Sequence, residues 1–108
     1  MENVSAQEAH RLVEDEHAVM IDCREEYEWE EMRIEGARLV PLTDYEGDPS
    51  LVDQHEKVIF QCATGQRSQV ASAIYEQQHP GSTAYNLDGG ITAWASRGFP
   101  IQVGPPSA

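Results

Sequence analysis

At 108 residues and 40% hydrophobic content, the chain is one domain, large enough for a core and too small for two. A formal charge of −12 argues against nucleic acid or an anionic membrane as partner, since both are held by basic patches. Two cysteines make no disulfide framework, and His10, His17, His55 and His79 have no metal-ligand spacing, so no metal is expected.

The opening residues have neither a basic n-region nor an apolar h-region, which makes the cytoplasm the default expectation. Val4-Ser5-Ala6-Gln7-Glu8 is a helix start, with Ser5 as N-cap and Glu8 reaching back to it. That helix is predicted to run to about Glu16 and to turn Ala9, Leu12 and Val13 inward. Ala18-Val19-Met20-Ile21, apolar throughout, is predicted as a strand covered on both faces. It ends in Asp22-Cys23-Arg24, followed by an acidic stretch in which Tyr27 and Trp29 are candidates to cover core. Gly36 to Leu42 contains a brief strand closed by Pro41, and residues 43–56 read as loop with one helical turn at Leu51-Val52. Val58-Ile59-Phe60 is the next buried strand. Ser68 opens an Ala-rich helix with apolar Val70, Ala71, Ala73, Ile74 and Tyr75, ending near His79-Pro80-Gly81. A strand over Thr83–Leu87 leads through Asp88-Gly89-Gly90 into a last helix, Ile91 to about Arg97, stopped by Gly98 and Pro100. The domain is expected over residues 1–102, with 103–108 as a flexible tail.

Short strands alternating with helices imply an α/β layer fold with a mostly parallel sheet. Ligands in such sheets bind beyond the carboxyl ends of the strands, where both Cys62 and Asp22-Cys23-Arg24 fall. A thiol between a strand's end and a helix amino terminus meets N–H groups and the helix dipole, which favour the reactive thiolate. Cys62 is therefore the candidate nucleophile. Cys23 lies on the opposite strand face from Asp22 and Arg24, and is expected to be a buried small hydrophobe or, on exposure, a resolving thiol. Charge is uneven as well: residues 1–61 carry 17 acidic and five basic side chains, residues 62–108 two of each. The acidic part serves solubility or docks a basic protein.

Four blocks resemble the single-domain rhodaneses, which are sulfurtransferases. They are Val19-Met-Ile-Asp-Cys-Arg-Glu-Glu-Tyr-Glu28, Ile34-Glu-Gly-Ala-Arg-Leu-Val-Pro-Leu42, Phe60-Gln-Cys-Ala-Thr-Gly-Gln-Arg-Ser68 and Tyr85-Asn-Leu-Asp-Gly-Gly-Ile-Thr-Ala-Trp94. The resemblance implies a three-layer rhodanese-like domain, a five-stranded mostly parallel sheet with helices on both faces. It also implies a thiosulfate sulfurtransferase-type enzyme, in which Cys62 carries a persulfide between a donor, a small sulfur-containing anion such as thiosulfate or a persulfide, and a thiophilic acceptor such as cyanide, a thiol, a thioredoxin-like or other protein. A monomer is expected, and no separate cofactor, because the sulfur travels covalently. The sequence departs from the family at Arg33-Ile34-Glu35, where His-Ile-Pro is common, and at Cys23, where an aliphatic residue is usual. It departs again at Ala63, where thiosulfate-using members often carry a basic residue.

Under that resemblance, N–H groups from Ala63 through Thr64, Gly65, Gln66 and Arg67 to Ser68 form a nest around the persulfide anion, with Gly65 permitting the backbone angles. Arg67 either binds an anionic donor or pairs with a carboxylate such as Asp22 and braces the loop. Asp22 and Arg24 are expected as scaffold, paired or bonded to loop backbone. Thr64 and Gln66 line the mouth or face water, and Trp94 and Tyr85 are expected in the core. Two rivals stand beside this reading: a rhodanese-like binding module with an inert thiol, and a cysteine phosphatase. The phosphatase loop has five residues between Cys and Arg, and here there are four.

Overall fold

The computed structural model describes residues 1–106. Strand β1 (Glu2–Val4), helix α1 (Ala6–Glu16), β2 (Val19–Asp22), α2 (Glu26–Glu31), β3 (Met32–Ile34) and β4 (Arg38–Leu39) come first. After them come α3 (Leu42–Gly47), a 3-10 turn at Pro49–Leu51, β5 (Lys57–Gln61), α4 (Arg67–Gln78), β6 (Thr83–Leu87), α5 (Gly90–Ser96) and β7 (Ile101–Val103). Five strands pair in parallel in the order β1-β6-β5-β2-β4. The fifth strand, implied by resemblance but unread in the sequence, is β1, joined to β6 with Glu2 opposite Tyr85.

Alternation along the two central strands divides the core into two layers. Ile21, Val58 and Phe60 pack with Tyr45 of α3 and with Ala71 and Tyr75 of α4. Met20 and Ile59 pack on the other face with Ala9 and Leu12 of α1 and with Ile91 and Trp94 of α5. Phe60 is stacked against Tyr45 at 5.8 Å between ring centroids and meets Tyr75 edge-on at 5.6 Å. Burying an aromatic ring of that size contributes about 1.5–3 kcal/mol. Ser5 caps α1 by accepting the Glu8 N–H at 3.1 Å, while the Glu8 carboxylate bonds Arg11 instead of turning back.

Several elements differ from expectation. Tyr27 is exposed on α2 and covers no core. The brief strand at Gly36–Leu42 contracts to Arg38–Leu39, and residues 43–56 contain α3. Apolar Val70 and Ala73 of α4 face outward, and the helix instead buries Ser68, Ala71, Ser72 and Tyr75. Residues 103 and 104, assigned to the tail, are tied down: Val103 pairs with Met32 in the antiparallel β3–β7 ribbon, and the Gly104 carbonyl accepts from Arg33 at 2.7 Å. Positions 107–108 of that tail lie outside the described residues.

The strand order also contains a topological switch point. The chain leaving β2 reaches β4 on one side, whereas the chain leaving β5 reaches β6 on the other. Loops diverge at such a reversal and leave a cleft at the carboxyl edge. Cys23 and Cys62 are the first residues beyond β2 and β5 at that point.

Candidate active site

Strand β5 delivers Cys62 to the sheet edge, and residues 63–66 turn the chain into α4. Gly65 makes the turn possible. Its φ is +100°, and a Cβ there would stand 3.2 Å from both the Gly89 nitrogen and the Leu87 carbonyl oxygen. In that conformation the Gly65 N–H donates to Cys62 Sγ at 3.1 Å.

Peptide units have two ends, and α5 takes the oxygen ends. The Ile91 N–H donates to the Cys62 carbonyl at 2.9 Å, and Thr92 Oγ1 donates to the Ala63 carbonyl at 3.0 Å. Gly90 lets α5 approach so closely; a Cβ on it would lie 2.2 Å from the Cys62 carbonyl oxygen. With these carbonyls held outward, the loop's N–H side is left for the sulfur.

Ser68 lies in the first turn of α4 and does not cap it. The residue before the helix, Gln66, makes no side-chain cap. The buried Ser68 hydroxyl sits 3.4 Å from Cys62 Sγ and also reaches Asn86 Oδ1 of β6. Asn86 Nδ2 bonds the Gly65 carbonyl at 3.2 Å and Asn3 Oδ1 at 3.0 Å, so one side chain ties Gly65 to Ser68. Nothing in the sequence marks Asn86 for this role; its inward face is set by β6 alternation.

Cys62 is only 1% exposed. The sulfur lies on the floor of the loop, below the mouth where the sequence put it. Thr64 and Gln66 face water. The side chain of Cys23, equally buried, donates to the Gln61 carbonyl at 3.2 Å and lies beside the Cys62 sulfur. That thiol, then the Ser68 hydroxyl and the N–H groups of Ser68 and Gly65, outweigh burial and hold the Cys62 pKa down at about 4. The same contact, with burial, pushes the Cys23 thiol far up. Of the expected nest, the Gly65 N–H is the amide in hydrogen-bond contact with the sulfur.

Arg67 pairs with Glu28 of α2 and not with Asp22. Its two Nη atoms meet the two carboxylate oxygens at 2.7 and 2.9 Å, which lowers the Glu28 pKa. Asp22 and Arg24 form a buried pair at 2.7 Å, and Arg24 also donates to the Met32 carbonyl at 2.7 Å. This pair braces the chain leaving β2 against β3, away from the Cys62 loop. Trp94 is buried and Tyr85 half-buried.

The family model described as rhodanese-like domain matches residues 5–97. A protein named sulfurtransferase from Allochromatium vinosum is 33% identical over 93 residues, 86% of this chain and 86% of that protein. The probable adenylyltransferase/sulfurtransferase MoeZ of Mycobacterium tuberculosis is 38% identical over 88 residues, 78% of this chain. The match takes in 22% of MoeZ, so the chain spans about a fifth of that relative's length. Among solved structures, a rhodanese-related protein from Thermoplasma volcanium superposes with a TM-score of 0.83 at 22% identity, covering 94% of this chain and 98% of that one. At that identity the likeness is one of fold.

Proposed function

The chain belongs to the rhodanese-like domain family, and from that premise we propose that it is a sulfurtransferase working through a persulfide on Cys62. The observation that carries this reading is the Gly65 N–H on Cys62 Sγ, with the Ser68 hydroxyl beside it. The amide donor favours negative sulfur without a cationic base.

The Cys62 thiolate attacks the sulfane sulfur of a donor; with thiosulfate, the S–S bond breaks and sulfite leaves. The charge then resides on the outer sulfur of Cys62–S–S⁻. A thiolate or cyanide takes that sulfur and regenerates the Cys62 thiolate. Gly65 and Ser68 hold the anion, Asn86 holds Gly65 and Ser68, and Arg67 steadies the start of α4. Ala63 offers no charge next to the nucleophile, and the Arg67 guanidinium is engaged by Glu28. Both features favour a thiol persulfide over thiosulfate as donor, and a protein thiol as acceptor. The sulfur is covered, so either one needs the loop to open.

Mass spectrometry after incubation with thiosulfate or a low-molecular-weight persulfide tests the proposal. We expect one added sulfur on Cys62, lost to a thiol or to cyanide, and none in Cys62→Ser. If no donor loads Cys62, the chain is better read as a binding module of this fold.

A further inference from the structure

The two cysteines of the chain are both free, and the sheet brings them side by side. Strands β2 and β5 pair in register through Asp22 opposite Gln61. The Cys23 N–H donates to the Gln61 carbonyl at 3.0 Å, carrying the parallel ladder one residue further, so Cys23 stands opposite Cys62. Residues opposite one another in parallel strands point to the same face, and both cysteines belong to the same core cluster. Neighbouring strands are about 4.8 Å apart, within the Cα separation of roughly 4.4–6.8 Å that a disulfide spans. The Cys23 sulfur already leans across this gap, 3.2 Å from the carbonyl of the residue preceding Cys62.

We propose that Cys23 is a resolving thiol for Cys62: when peroxide oxidises the nucleophile, the pair closes into a Cys23–Cys62 disulfide across β2 and β5. In the first step the Cys62 thiolate attacks one peroxide oxygen. The O–O bond breaks, giving a sulfenic acid on Cys62 and hydroxide. In the second step the Cys23 sulfur attacks Cys62 Sγ, the S–O bond breaks, and the departing hydroxyl leaves as water with the Cys23 proton. The two cysteines together lose two electrons, which the peroxide takes up. The opposed protonation of the pair suits these roles, since a thiolate is oxidised first and the protonated partner supplies the proton for water. The proposal needs the two thiols and a peroxide, and stands whether or not Cys62 ever carries a persulfide.

The test is peptide mapping without reduction after reduced protein is treated with hydrogen peroxide. Trypsin places Cys23 in residues 12–24 and Cys62 in residues 58–67. In the wild type we expect these peptides joined, the chain lighter by two hydrogens, and both thiols recovered with dithiothreitol. In Cys23→Ala and Cys23→Ser, Cys62 should instead gain two or three oxygens that dithiothreitol does not remove. Linkage of 12–24 to 58–67 within one chain supports the proposal even if both variants fail to fold. Cys62 over-oxidised in the wild type without that linkage, or cysteines joined only between chains, would overturn it.

Discussion

Cys62 sits where burial by itself would keep a thiol neutral, and donors already in place reverse that preference. A free thiol loses reactivity as pH falls below about 8.5, because its thiolate disappears. Cys62 should behave otherwise. Its alkylation by iodoacetamide is expected to stay level through neutral pH and to fall only as pH drops towards about 4. The sign follows from the lowered pKa, since the thiolate persists until protons compete near that value. Ser68→Ala removes one donor and should move the midpoint upward. A wild-type midpoint near that of a free thiol would refute the electrostatic reading of the loop. At this scale the sequence was informative about Cys62 and Gly65, whose chemistry is local. It offered Cys23 as a possible resolving thiol but could not set it opposite Cys62, because that placement arises from the pairing of strands 38 residues apart.

Between elements, the tie that matters most for the site joins α2 to α4 through Glu28 and Arg67. The Arg67 side chain is 37% exposed, so solvent screens the pair and its loss should cost less than about 1 kcal/mol. Its effect on substrate preference should be larger. In Glu28→Gln, Arg67 is released towards the site and one negative charge is gone, so the KM for thiosulfate should fall by roughly threefold or more. Steady-state assays with thiosulfate and with a neutral donor measure this; an equal change for both donors would exclude a charge effect. Helix α1 was legible because its cap and its inward Ala9 and Leu12 are ordinary signals of that structure. The buried face of α4 was not. Ser68 and Ser72 lie inside because Asn86 and the Ser68 carbonyl satisfy their hydroxyls, partners that hydropathy cannot reveal. Strands β3 and β7, three residues each, are too short for alternation to show.

Across the whole molecule, the acidic surface and the Cys62 loop belong to different parts of the sequence, yet the sheet interleaves them. β2 comes from the acidic first part, and its carboxyl end borders the Cys62 loop. A net charge of −12 on 108 residues implies self-repulsion in the folded state. Screening relieves it, so the melting temperature should rise as sodium chloride goes from about 0.01 M to about 0.1 M, where the Debye length contracts from ~30 to ~10 Å. Calorimetry at the two concentrations checks this; a fall would mean that ion pairs such as Arg11 with Glu8 and Glu16 outweigh the repulsion. The parallel order of the sheet was inferable from alternating elements, whereas the reversal between β2 and β5 was visible only in the assembled topology.

The hold of α5 on the Cys62 and Ala63 carbonyls separates two tasks that loops often confuse. The polarity of the cradle is imposed from a neighbouring helix and owes nothing to the side chains of Thr64 and Gln66, which point to water. Evolution can therefore rewrite those two positions to suit new visitors while the charge-handling machinery stays as it is.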